Sequence, residues 1–200
     1  MSALALGEIM TVSALLNTLK ELSVLHAPPD KPFLLKSGGT SLHYVDVRRT
    51  ALTGKGLHLI GAMFYDMLNQ MALDPKRVAG VALGGCPLAT AVSLHSYNTW
   101  TQTTAPYTHI IETLYVRPEA KGHGTGKLIE GIFEKGDSVV ICEDVVTSGS
   151  STLKAIEVLK EAELKVIGVM AVLDREEGGK EKIEAVCPFR SFTTLKELLG

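Results

Sequence analysis

Leu15, Leu16, Leu19, Leu22 and Leu25 recur every three or four positions along "TVSALLNTLKELSVL" (11–25), a spacing that predicts an amphipathic helix. "HAPPDKP" breaks it, since adjacent prolines remove backbone donors and clash with a continuing helix. Two short strands are predicted next, "FLLKS" and "LHYVDV", separated by Gly38 and Gly39. Helical periodicity returns over "GLHLIGAMFYDMLNQMAL" (56–73). The apolar run over 78–83 predicts a buried strand, which "GGCP" turns into a helix with Pro87 in its first turn. "HIIETLYV" (109–116) predicts a further strand.

The clearest unit follows. "SVVIC" (138–142) is a continuous apolar strand, and "SSTLKAIEVLKEAEL" (150–164) is a helix with Leu153, Ile156 and Leu159 on one side. "KVIGVMAVL" (165–173) is a second buried strand, and "TTLKELL" (193–199) a short terminal helix. Continuous apolar strands alternating with helices predict an α/β domain whose parallel sheet is covered on both faces. No repeat, low-complexity tract or linker divides the chain, so a single domain over 1–200 is expected.

Composition narrows the class of function. The 200 residues are 46% hydrophobic, enough for one core, and 20 basic residues nearly balance 22 acidic ones. Without a Lys/Arg run, neither a nucleic-acid footprint nor a polybasic membrane patch is expected. No apolar run approaches the roughly 18 residues of a spanning helix. "MSALALGEIM" lacks the basic start of a signal peptide. Cys86, Cys142 and Cys187 are odd in number, widely spaced and form no CxxC, which predicts reduced, buried thiols in a cytoplasmic protein.

The chemistry concentrates in "VVICEDVVTSGSS" (139–151). Glu143 and Asp144 stand where the apolar strand ends, and ligands of open α/β sheets bind beyond the carboxyl ends of strands. The turn Thr147, Ser148, Gly149, Ser150 and Ser151 then enters a helix. Small residues let backbone wrap an anion, hydroxyls add donors, and first-turn N–H groups suit phosphate. Phosphate would repel the paired carboxylates. Sugar hydroxyls would donate to them, and a hydrated Mg²⁺ is also compatible. The plain alternative is a capped turn beside solvated acids; the coincidence of acids, turn and strand end favours a ligand.

A second segment, "RPEAKGHGTGK" (117–127), carries Arg117, Lys121, His123 and Lys127 among glycines and cannot form a stable helix. Such a basic loop could close over a pyrophosphate and exclude water. Its "GTGK" is not a nucleotide P-loop: Leu128 replaces the required Ser/Thr, and Lys121 the first glycine.

The acid pair with its Thr/Ser/Gly turn resembles the signature of type I phosphoribosyltransferases. The basic segment resembles the lid of orotate phosphoribosyltransferases, matching its pattern at Arg117, Glu119, Lys121, His123 and Gly124. "LKSGGTSLHYVDVR" (35–48), "GVALGGCPLAT" (80–90) and "LDREEGG" (173–179) resemble that family's substrate, pyrophosphate and orotate segments in the right order. The resemblance implies the type I phosphoribosyltransferase fold, a mostly parallel sheet flanked by helices, with a small hood and a mobile lid at about 117–128. It implies transfer of the phosphoribosyl group from phosphoribosyl pyrophosphate to orotate in pyrimidine synthesis, with Mg²⁺ held mainly by substrate and water. It also implies a homodimer that shares its lids.

By the same resemblance, Glu143 and Asp144 hold the ribose hydroxyls, and Val145, Val146 and Thr147 to Ser151 form the 5-phosphate segment. Lys121 is the chief catalytic cation, with Arg117 and His123 beside it at the pyrophosphate. Lys36, Thr147 and Arg175 bind orotate. Pro118 stands where the family usually has a second lid lysine and Gly84 where some members place another, which predicts a weaker grip on the pyrophosphate end. A purine phosphoribosyltransferase and a non-catalytic regulator on the same fold are the alternatives. Asp46, Arg48 and Arg49 read mainly as surface or dimer charges, "EEGGKEKIE" (176–184) as a solvated turn, and the scattered histidines as no metal site.

Overall fold

The computed structural model describes residues 3–34, 38–101, 107, 109–117 and 127–200, with side chains from Val12 onward. The chain opens with α1 (Ala3–Leu22), followed by β1 (Val24–His26), β2 (Phe33–Leu34), β3 (Thr40–Ser41), β4 (His43–Val45) and α2 (Arg48–Ala51). Then come α3 (Gly54–Gln70), β5 (Arg77–Val81), α4 (Gly85–Trp100), β6 (Glu112–Val116), β7 (Ile129–Glu130) and β8 (Ser138–Val146). The chain closes with α5 (Ser150–Glu161), β9 (Lys165–Asp174), α6 (Gly179–Glu184), β10 (Phe189–Thr194) and α7 (Leu195–Leu199).

Six strands form the main sheet in the order β10-β9-β8-β5-β6-β7, all parallel except β7, which runs antiparallel to β6. Period-two alternation assigns its residues to two cores. Val140, Cys142, Met170 and Val172 face α1, α3 and α4, whereas Val139, Ile141, Val169 and Ala171 face α5 and α6. On α3, Ile60, Phe64, Met67 and Leu68 bury the stripe that faces the sheet. Thr53 starts that helix by accepting the Gly56 N–H at 3.0 Å. Cys142 is fully enclosed, and Cys86 and Cys187 are also buried free thiols.

The crossovers position the site. From β5 the chain passes through α4 on one face toward β6; from β8 it passes through α5 on the other face toward β9. Adjacent β5 and β8 therefore send their connections in opposite directions, which opens a crevice at their carboxyl ends. Pairing between them stops at Gly80 opposite Cys142, while β8 stays paired with β9 as far as Val146. Residues 143–146 thus have one edge bonded and one edge facing the crevice.

Several boundaries differ from the sequence reading. The first helix ends at Leu22 rather than at 25, because Val24–His26 pairs antiparallel with His43–Val45 as part of a small hood. The 56–73 helix starts two residues earlier, at Gly54, and stops at Gln70. The strand expected over 109–116 begins at Glu112, whose N–H donates to the Lys76 carbonyl. Edge strand β10 had no counterpart in the sequence reading, since "FRSFTT" has no apolar run. The segment 176–184 is more than a solvated turn: it forms α6 and buries Ile183.

Candidate active site

The whole stretch 143–152 lines a small cleft against Val81, Ala82, Leu83 and Gly84 of the turn after β5. Glu143 and Asp144 are the sixth and seventh residues of the nine-residue strand β8, so they lie within it rather than just past it. Their environments differ. Glu143 is 5% exposed and its Oε1 accepts the Thr152 hydroxyl at 3.0 Å, turning it into the protein. Asp144 is half-buried, accepts the Val145 N–H at 2.9 Å, and borders both this cleft and a larger one.

Burial, reinforced by the Asp144 carboxylate, pushes Glu143 up to about 8. Burial also raises Asp144, against the opposing pull of its own and the Val145 N–H groups and of the Arg48 guanidinium. An unfolded Glu titrates near about 4.3. Between that value and about 8 the folded chain holds a proton that the unfolded chain has lost, so stability falls as pH rises. One such proton gives a slope of at most ~1.4 kcal/mol per pH unit. Denaturant midpoints across this range should show the decline in the ligand-free protein, and Glu143→Gln should remove this component; identical profiles would contradict it.

The turn after β8 is built for close approach. Gly149 has φ +75 and serves as the N-cap of α5 with no side-chain cap, so first-turn N–H groups of a 12-residue helix remain open to an anion. Ser148 and Ser150 hydroxyls meet at 2.9 Å. Gly179 packs under the turn: a Cβ there would lie 2.6 Å from Val146 Cγ1 and 2.8 Å from the Gly149 nitrogen. Lys182 donates to the Ser148 carbonyl at 3.3 Å, bringing a cation to the turn that sequence reasoning missed.

Gly84 acquires a second meaning. A Cβ at this position would come within 2.6 Å of Asp144 Oδ1 and even closer to Oδ2. In this backbone any side chain at position 84, a lysine included, would have to displace Asp144.

The larger cleft, about 970 Å³, falls within the range of small-molecule sites. Its walls come from the hood (Leu25, Phe33, Tyr44), from Arg48, from the 144–151 turn and from Arg175. Two guanidiniums face it, each tied to a carboxylate two residues away. Arg48 Nε and Nη2 donate to Asp46 at 2.8 and 3.2 Å. Arg175 Nε lies 3.0 Å from Glu177 Oε1 but off the N–H axis, so the buried donor makes an ion pair without a proper hydrogen bond. Arg48 is therefore a wall residue of the cleft and an electrostatic neighbour of Asp144, not merely a surface charge. Its sequence position, after a two-strand hood, gave no sign of this.

Arg117 is placed apart. Its N–H donates to the Leu128 carbonyl at 2.8 Å and its guanidinium lies 3.3 Å from Glu130, so it borders neither cleft. These contacts bring together the two ends of the basic segment, on β6 and β7. Lys36, Pro118, Lys121 and His123 lie outside the described residues. Among the described residues, no group of three His, Cys, Asp or Glu side chains could hold a metal, and no helix is long and apolar enough to cross a membrane.

Comparison with known proteins agrees with this geometry. The phosphoribosyl transferase domain model matches residues 52–192. Orotate phosphoribosyltransferase of Aquifex aeolicus is 41% identical over 172 residues, covering 85% of this chain and 88% of the relative. That of Sorangium cellulosum is 42% identical, covering 81% and 84%. The orotate phosphoribosyltransferase structure from Mycobacterium tuberculosis in complex with phosphoribosyl pyrophosphate superposes with a TM-score of 0.73 at 31% identity, covering 95% of this chain and 99% of the other. Adenine phosphoribosyltransferase of Trypanosoma brucei, at 13% identity and TM-score 0.62, shares the fold alone. With its six-stranded sheet, its acid pair at the β5/β8 crevice and relatives of this identity over most of its length, the chain belongs to the orotate phosphoribosyltransferase family.

Proposed function

We propose that the protein transfers the 5-phosphoribosyl group from phosphoribosyl pyrophosphate to orotate, giving orotidine 5-phosphate and pyrophosphate for pyrimidine synthesis. The observation that carries this is the position of Asp144, shared by a small turn-lined cleft and a large cleft faced by Arg48 and Arg175. A sugar held at Asp144 then has its phosphate on one side, in the 147–151 turn, and the base on the other.

The bond from C1 to the pyrophosphate oxygen breaks with its electron pair leaving on pyrophosphate, positive charge develops on the ribose, and the orotate ring nitrogen bonds to C1 as its proton passes to the leaving pyrophosphate or to solvent. The chain's task is to position the partners and to stabilise charge on the leaving group. Asp144 accepts ribose hydroxyl protons. Glu143 supports it from behind, fixed by Thr152. Thr147 and Arg175 orient orotate, with Lys36 near the base and the pyrophosphate. The planar guanidinium suits the planar carboxylate. Lys121 and His123, and Arg117 if released from Glu130, meet the pyrophosphate. Asp144 at the crevice suits a Mg²⁺ held mainly by substrate oxygens and water, which would neutralise pyrophosphate charge.

The working form we propose is a cytoplasmic homodimer in which each lid serves the neighbouring crevice. In keeping with that arrangement, Arg117, one of the two lid cations among the described residues, pairs with Glu130 of its own chain and does not line the crevice.

The direct test incubates protein, Mg²⁺ and phosphoribosyl pyrophosphate with orotate, hypoxanthine, guanine or adenine and follows product. Turnover of orotate alone is expected; turnover of a purine alone would overturn the reading. Arg175→Gln should raise KM for orotate on the order of 30-fold, about 2 kcal/mol, while leaving KM for phosphoribosyl pyrophosphate nearly unchanged.

A further inference from the structure

Far from the acid pair in sequence, β1 and β4 bring His26 directly opposite His43, and both side chains are exposed. Their Nδ1 atoms share a hydrogen bond at 3.0 Å, one ring donating to the other, and the rings stand nearly perpendicular, at 88°. Directly opposed positions on antiparallel strands keep the two Cβ atoms about 4.5–5.5 Å apart, so both imidazoles stay within reach of one shared ion. The mechanism uses neither imidazole.

We propose that His26 and His43 form a two-imidazole site for a divalent d-block cation, with Cu²⁺ as the best fit and water completing its coordination. Two nitrogens 3.0 Å apart, each about 2.05 Å from a shared ion, subtend about 94° at that ion. A tetrahedral ion would need them about 3.3 Å apart, a difference that turning of the exposed rings absorbs, so the choice of Cu²⁺ rests on its leading rank for imidazole nitrogen among first-row divalent ions. To ligate, the exposed rings give up that hydrogen bond and turn so that both lone pairs converge on the ion. Ligation would tie β1 to β4 through side chains. The neighbouring pair in the same register, Leu25 opposite Tyr44, lines the larger cleft, so the cross-link would stiffen the hood wall of that cleft.

The test uses untagged full-length protein and Cu²⁺ alone, in a buffer that does not chelate metal. Electron paramagnetic resonance should show a tetragonal signal with two nitrogen couplings at one equivalent, and Cu²⁺ should raise the melting temperature. His26→Ala and His43→Ala should each weaken Cu²⁺ binding on the order of tenfold or more and abolish the thermal shift. Their metal-free melting temperatures serve as the folding control, with His43→Gln as a second variant should alanine disturb the hairpin. Undiminished Cu²⁺ binding in the double alanine variant, or a wild-type signal with no imidazole coupling, would overturn the proposal. Tighter binding of Zn²⁺ than of Cu²⁺ at this pair would overturn the choice of ion.

Discussion

Replacing Asp144 by alanine is expected to lower kcat/KM for phosphoribosyl pyrophosphate several-hundredfold. The group removed is the carboxylate that stands between the two clefts. Two sugar hydroxyls donating to an ionised acceptor contribute about 1.5–3 kcal/mol each, and overlap between them leaves roughly 3–4 kcal/mol, a factor of several hundred. The loss should appear in kcat as well as in KM, because misplacing C1 by an ångström spoils the approach of the base. Glu143→Gln provides the contrast. Its partner is Thr152 inside the protein, and the amide can still accept that hydroxyl, so activity should stay within about tenfold of wild type. Steady-state kinetics with both substrates varied decides the matter. Equal losses for the two variants would mean that both acids contact sugar and that the division of roles read from burial is wrong.

The second large effect belongs to Lys121→Ala, for which turnover should fall on the order of a hundredfold or more, with little change in orotate affinity. The reasoning is electrostatic. In the proposed reaction pyrophosphate leaves with several negative charges, and position 118, where the resemblance led one to expect a second lid lysine, is proline. Arg117 already has a carboxylate partner in Glu130. With those two discounted, Lys121, His123 and Lys127 are the lid's remaining basic residues, and the resemblance assigns Lys121 to the leaving group. Single-turnover measurements separate chemistry from product release; small, equal effects on turnover and orotate binding would sink the assignment.

The parts legible in the sequence were those in which neighbours along the chain are also neighbours in space. The βαβ unit from β8 to β9 could be read because two uninterrupted apolar runs flank a periodic helix, and the acid pair with its turn could be read because 143–151 form one continuous wall. What escaped depends on tertiary approach. Arg48 reaches the larger cleft from the hood, and Lys182 reaches the Ser148 carbonyl from α6. Gly84 looked like a missing cation until the fold set it against Asp144. The hood strand β1 was absorbed into the preceding helix because Leu25 continues the leucine spacing, yet pairing with β4 outweighs that local preference.

The enclosed thiols offer an internal gauge of opening. Burial raises the pKa of Cys86, Cys142 and Cys187, so all three resist alkylation while the domain is intact. Cys142 lies in the central strand with no exposed surface, so a reagent reaching it reports separation of β8 from its neighbours. Cys86 and Cys187 retain slight exposure, 9% and 8%, and should react sooner, through smaller fluctuations. Cys86 also follows the glycine turn that lines the smaller cleft, so its labelling rate would reveal occupancy there without a chromophore or tag.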